Sequence, residues 1–203
     1  MNSKGNLIIF SGPSGVGKGT LLKKCLAEMP NVRYSVSATT RTPREGEVNG
    51  REYHFMSREE FLSLAEQGGM LEYASYNGNY YGTPKAFCEE LTNAGTDVVL
   101  EIEVQGALQI KKLYPKAQMI FIMPPSLKEL ENRLCGRNTE TTEVVAGRLA
   151  IAREELRQAY QYDYVVVNDD LEQAAAALKT IIAAGHYSAK AMKEFLDEVN
   201  QQC

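Results

Sequence analysis

The stretch "SGPSGVGKGT", from Ser11 to Thr20, carries the residue types that a polyphosphate requires. Gly12, Gly17 and Lys18 stand at phosphate-loop spacing, after an apolar run that reads as a strand and before a helical pattern. Glycines let the backbone curl so that its amides point inward, and the following helix N-terminus adds positive potential. Lys18 can then reach the outer phosphates of a nucleoside triphosphate. The candidate cradle comprises Gly12, Pro13, Ser14, Gly15, Val16, Gly17, Lys18, Gly19 and Thr20. One departure stands out. Gly19 follows the lysine where a Ser or Thr usually faces the metal, so that role falls to Thr20 or to water. The competing reading, a glycine-rich turn capping a helix, leaves the lysine and the strand context unexplained.

A second concentration of chemistry lies in "TTRTPREGEVNGREYHF", from Thr39 to Phe55. It holds Arg41, Arg44 and Arg51 and few apolar residues, and Pro43, Gly46 and Gly50 interrupt any regular structure. Alone, it is either a solvated turn or an anion clamp. Guanidinium groups suit bidentate contact with phosphate oxygens, so Arg41 and Arg44 can converge on one phosphate.

These segments need a frame to hold them. "NLIIF", "VVLEIEV" (Val98 to Val104), "QMIFIM" (Gln118 to Met123) and "DYVVVN" (Asp163 to Asn168) read as nearly continuous apolar strands. "GTLLKKCLAEM" and "LEQAAAALKTIIAAG" show helical spacing, the latter with Gly185 as a stop. Buried strands alternating with helices predict a parallel sheet covered on both faces, a three-layer α/β fold. The expected division is a core of about 1–31, 95–125 and 158–203, a small lobe of mixed or antiparallel strands over about 32–94, and a helical, arginine-rich lid over about 126–157. The tail after Gly185 is expected to turn helical near Ala189.

Composition narrows the function. The 203 residues suit one domain with an inserted lobe, and 44% hydrophobic content allows a real core. A formal net charge of -4, from 22 basic and 26 acidic residues, argues against a general nucleic-acid or membrane surface, so any anion site is local. Cys25, Cys88, Cys135 and Cys203 form no close pair, which indicates neither a zinc motif nor a disulfide framework. The first residues lack a signal-like segment, and a cytoplasmic location is the expectation. A GTPase would need an "NKxD" stretch; the nearest fragment, "VVVNDD", has no lysine after Asn168. A small-molecule kinase needs a second anion pocket and a lid, and the arginine loop and arginine-rich segment supply both.

The chain resembles the guanylate kinases. "GPSGVGKGTL", "SVSATTRTPREGEVNGREYHF", "MLEYASYNGNYYGTP", "EIEVQGA", "IFIMPPS" and "YDYVVVND" fall in that family's order, over about Asn6 to Ile182. The resemblance implies a P-loop nucleoside monophosphate kinase-like fold with a GMP-binding lobe. It implies transfer of phosphate from ATP to GMP with Mg2+, and no nucleic-acid, membrane or obligate protein partner. By the same resemblance, Arg41, Arg44, Tyr53 and Tyr81 hold the GMP phosphate, and Ser37, Glu72, Thr83 and Glu103 read guanine. Arg133, Arg137 and Arg148 serve the ATP phosphates, Asn168 lies near adenine, and Thr20 and Glu101 face the metal mostly through water. Lys18, Arg41, Arg137 and Arg148 are the residues implied in catalysis. Glu103 stands where the family has aspartate, and a strand through "EIEV" puts Glu101 and Glu103 on one face. The family also contains catalytically silent recognition modules; the intact Lys18 argues against that alternative.

Overall fold

The computed structural model describes residues 4–136 and 142–202. In chain order its elements are β1 (Leu7–Ser11), α1 (Lys18–Ala27), β2 (Val32–Tyr34), β3 (Ala38–Thr39), β4 (His54–Phe55), α2 (Arg58–Glu66), β5 (Met70–Tyr76), β6 (Asn79–Pro84) and α3 (Lys85–Asn93). They continue with β7 (Asp97–Glu101), α4 (Val104–Leu113), β8 (Gln118–Met123), α5 (Leu127–Cys135), α6 (Thr142–Arg157), β9 (Tyr164–Val167), α7 (Leu171–Gly185) and α8 (Lys193–Asn200).

Five strands form the main sheet in the order β2-β7-β1-β8-β9. Every pair in it is parallel. The continuous apolar runs have a simple cause: successive side chains point to opposite faces, and both faces are covered. Ile8, Phe10, Val99, Ile120 and Ile122 pack on the side of Leu21, Cys25, Leu178 and Ile182, from α1 and α7. Ile9, Val98, Leu100, Met119 and Phe121 pack on the other side with Ala107 and Ile110 of α4. The three-layer α/β class expected from the sequence is therefore present.

The phosphate-loop segment leaves the C-terminal end of β1, the central strand, where open α/β sheets place their ligands. A second sheet, β4-β3-β6-β5, is mixed: β3 runs parallel to β4 and antiparallel to β6. Its β5–β6 hairpin turns at Asn77 and Gly78, both with positive φ. Ser57 caps α2 reciprocally with Glu60, which fixes the approach of that helix to the hairpin.

Three boundaries differ from the sequence reading. The strand expected from Val98 to Val104 ends at Glu101, and Val104 opens α4 with Glu103 as its N-cap. Glu103 and Glu101 are therefore not strand neighbours on one face. The apolar run continues through Val104 because that residue is buried at the helix start, so its polarity could not mark the end of the strand. The second difference is at residue 32, where the sequence reading begins the small lobe. β2 there pairs with β7 as an edge of the main sheet, and the second sheet begins with β3. The tail helix begins at Lys193, later than expected.

Candidate active site

The loop between β1 and α1 is a curl closed by its own lysine. Lys18 donates from Nζ to the carbonyls of Gly12 at 2.7 Å and Pro13 at 3.1 Å. Gly17 sits before the helix with φ 90, and a side chain there would meet Asn168 Nδ2 at 2.6 Å, so only glycine fits. Asn168, at the end of β9, is 6% exposed and donates from Nδ2 to the Val16 carbonyl at 2.8 Å. Its own carbonyl accepts from Arg133 at 2.9 Å. Arg133 also binds Glu129 at 2.8 Å, one turn earlier on α5. Asn168 is thus a buried fastener of the phosphate loop. Asn168→Ala would leave the Val16 carbonyl without its donor, a loss of about 1–3 kcal/mol and a Tm lower by roughly 2–12 °C. Thermal denaturation checks this; an unchanged Tm would show that the contact carries no stability.

Carboxylates gather around the lysine. Burial lowers the Lys18 pKa, while Glu101, Glu155 and Glu103 act in the opposite direction. Glu101 ends β7 half-buried, and burial pushes its pKa up against the pull of Lys18. Glu155, on α6, is shifted upward for the same reason. Its helix also carries Arg148, whose guanidinium reaches the Ser14 hydroxyl at 2.5 Å. Arg148, Ala152 and Glu155 follow helical i, i+4, i+7 spacing, and Ala152 is 1% exposed, so one face of α6 looks onto the phosphate loop. Glu155 was missed in the sequence. Its spacing from Arg148 was the available signal.

The arginine loop is organised by a second missed residue, Glu47. It accepts from the Arg41 guanidinium at 2.8 Å and from the Arg44 backbone N–H at 2.7 Å. Arg41 also lies over the rings of Tyr53 and Phe55, at 5.5 and 5.7 Å. The rings of Tyr53 and Tyr81 meet edge-on at 6.0 Å. Arg41, Tyr53 and Tyr81 are therefore brought together, whereas the Arg44 side chain is exposed. The solvated-turn alternative fails for Arg41, which is tied down in an aromatic corner.

Strand register assembles the rest. Thr39 faces Tyr81, and Glu72 faces Thr83, so Tyr81 and Thr83 stand two residues apart on β6. The Thr83 hydroxyl, on a residue 1% exposed, donates to Glu72 at 2.7 Å. Burial raises the Glu72 pKa, with Glu103 adding to the effect and the Thr83 bond opposing it. Ser37 lies just before β3, with its carbonyl accepting from His54 at 2.8 Å. Glu103 is exposed at the head of α4, yet its charge is felt by Glu72, Lys18 and Glu155 alike. Arg137 lies outside the described residues.

A metal would meet oxygen donors and space here. Nothing lies within 4 Å of a Cβ built on Gly19, and Thr20 is exposed. Gly19 and Glu101 border an open groove that Leu22, Lys23, Leu26 and Tyr34 also line. Among the described residues no group of three acidic, His or Cys side chains forms a protein-only cage. The donor set therefore fits magnesium held mainly by phosphate and water. None of the described helices is long and apolar enough to cross a membrane.

A lysine-closed loop on the central strand, an arginine-bearing helix over it and a separate sheet with its own cationic corner are the plan of a P-loop kinase for small phosphorylated substrates. Comparison with known proteins narrows this class. The guanylate kinase family model matches residues 4–185. A guanylate kinase of Lactococcus lactis subsp. lactis is 53% identical over 187 residues, spanning 92% of this chain and 91% of that protein. One from Streptococcus thermophilus is 54% identical over 188 residues, spanning 92% and 90%. The crystal structure of guanylate kinase from Anaplasma phagocytophilum superposes with a TM-score of 0.75 at 35% identity, covering 96% of this chain and 95% of that one. The chain belongs to the guanylate kinase family.

Proposed function

We propose that this chain transfers the γ-phosphoryl group of ATP to GMP, giving ADP and GDP. The observation that carries this reading is the presence of two anion sites of different design in one fold. One is the lysine-closed loop; the other is the Arg41 corner beside the Glu72–Thr83 pair. A GMP phosphate oxygen attacks the γ-phosphorus, and the bond from that phosphorus to the bridging oxygen of ADP breaks. The acceptor oxygen is already anionic, so no side-chain base is required.

The chain's residues bind, orient and neutralise. The loop from Gly12 to Thr20 cradles the ATP phosphates, and Lys18 leaves its carbonyl partners to meet the transferred group. Arg148 is already at the loop's edge and joins it; Arg137 has the same role by family likeness. Arg41 and Arg44 hold the acceptor phosphate, with the phenols of Tyr53 and Tyr81. Glu72, Ser37, Thr83 and Glu103 face the guanine edge, Arg133 joins the ATP phosphates, and Asn168 lies on the adenine side. Thr20 and Glu101 would hold magnesium through water. When bound, that ion supplies neutralisation of charge on the ATP phosphates. The segment from β3 to about residue 94 acts as the GMP lobe and about 126–157 as the lid, closing on the core as substrates arrive.

The test is a coupled assay of ADP production with ATP and magnesium, with and without GMP. ADP formation that depends on GMP and exceeds that with AMP is expected. No GMP-dependent turnover would replace this reading with that of a silent recognition module.

A further inference from the structure

Gly106 lies inside α4, in the segment "EIEVQGA", and its backbone has no positive φ. Nothing in its conformation asks for glycine, and glycine is a poor helix former. The reason lies across the gap to β5. A Cβ built on Gly106 would stand 2.9 Å from Glu72 Oε2, 3.4 Å from its Cδ and 3.6 Å from its Cγ. Its three nearest neighbours are all atoms of that one side chain. The carboxylate is therefore seated from two sides: the Thr83 hydroxyl donates to Oε1 at 2.7 Å, and Oε2 occupies the space a methyl group would fill.

We infer that Gly106 is a positioning residue for guanine selection, acting through the place it leaves for the Glu72 carboxylate. The inference rests on the reading that Glu72 faces guanine. The obstructed atom is the far end of a flexible side chain, so a methyl group at 106 displaces the carboxylate and leaves the backbone in place. Alanine is also the better helix former, so α4 is not weakened.

Gly106→Ala is expected to lower kcat/KM for GMP by about 10- to 100-fold, since sub-ångström to ångström misplacement of a positioning group has effects of that size. The loss falls mainly in KM for GMP. KM for ATP and the efficiency with AMP change little, and Tm stays level or rises. A merely structural role predicts a lower Tm and parallel losses with both acceptors. Repeating the substitution in a Glu72→Asp background separates the cases. The shorter acid withdraws from the space that the methyl enters, so Gly106→Ala should there have an effect several-fold smaller. An equal factor in both backgrounds, or no loss of the GMP to AMP ratio in the Glu72 background, overturns the inference. Glu72→Gln, measured alongside, isolates the underlying reading. If it lowers the GMP to AMP ratio while Gly106→Ala does not, the inference alone fails. If Glu72→Gln leaves that ratio unchanged, the reading of Glu72 fails with it.

Discussion

Lys18→Ala is expected to lower kcat by roughly 100- to 1000-fold, equivalent to about 2.7–4 kcal/mol of transition-state stabilisation. The ammonium is held within the loop's curl by the Gly12 and Pro13 carbonyls. On leaving those carbonyls, the ammonium meets the charge that spreads over the transferred phosphoryl oxygens. KM for ATP should rise less than kcat falls, because the backbone amides of the loop remain. The fold should survive. Val16 stays anchored by Asn168, and the strand beneath is buried, with Ile8, Ile9 and Phe10 at 0% exposure. Burial lowers the Lys18 pKa despite the pull of Glu101, Glu155 and Glu103, so the folded state on balance disfavours the charge, and its removal should leave Tm near the wild type's at neutral pH. Lys18→Met keeps the stem without the charge, and it should match the alanine variant in kcat. Turnover near wild type in either folded variant would remove Lys18 from the chemistry.

The phosphate loop was legible because its meaning is local: glycines, lysine, strand and helix are contiguous. The main sheet was legible because buried parallel strands read as unbroken apolar runs. "QMIFIM" and "LEQAAAALKTIIAAG" match β8 and α7 residue for residue. The same rule misled at "VVLEIEV", where burial at a helix start continues the apolar signal beyond the strand. β2, β3 and β4 are two or three residues long and carry too little pattern to register. The partners of site residues were harder still. Glu47 reads as one acid in a polar loop, and only the folded loop brings it to both Arg41 and Arg44. Gly106 reads as a weak point in a helix until β5 places Glu72 against it. The Glu72 contact joins segments distant in sequence, and the Glu47 contacts lie in an irregular loop, so neither propensity nor periodicity reaches them.

Glu72→Gln should lower kcat/KM for GMP while leaving ATP binding nearly unchanged, and the geometry says why an isosteric change is so damaging. The carboxylate can accept from both the N1–H and the exocyclic amine of guanine. Thr83 donates to Oε1, so in the variant the amide oxygen is drawn to that hydroxyl. The NH2 group then takes the place of Oε2 and turns a donor toward guanine donors. A charge-assisted bond is lost and a buried donor pair is mismatched, a loss of roughly 2–4 kcal/mol. That corresponds to about 30- to 1000-fold in catalytic efficiency. AMP never satisfied the carboxylate, so its efficiency should fall less and the GMP to AMP ratio should drop. Stability should move the other way. Burial raises the Glu72 pKa above the ordinary carboxylate value, so the folded state disfavours the ionised form. Wild-type stability from this group is therefore greatest below the ordinary carboxylate pKa, and it declines as pH rises from there through the raised one. At neutral pH the glutamine variant escapes that penalty, and its nucleotide-free Tm should equal or exceed the wild type's. Below pH 4 the difference should vanish as Glu72 protonates in both the folded and unfolded chain. Kinetics with both acceptors, beside melts across that pH range, decide the matter. An unchanged acceptor ratio would leave guanine selection to Ser37, Thr83 and Glu103, and a Tm well below wild type at neutral pH would make Glu72 a structural residue.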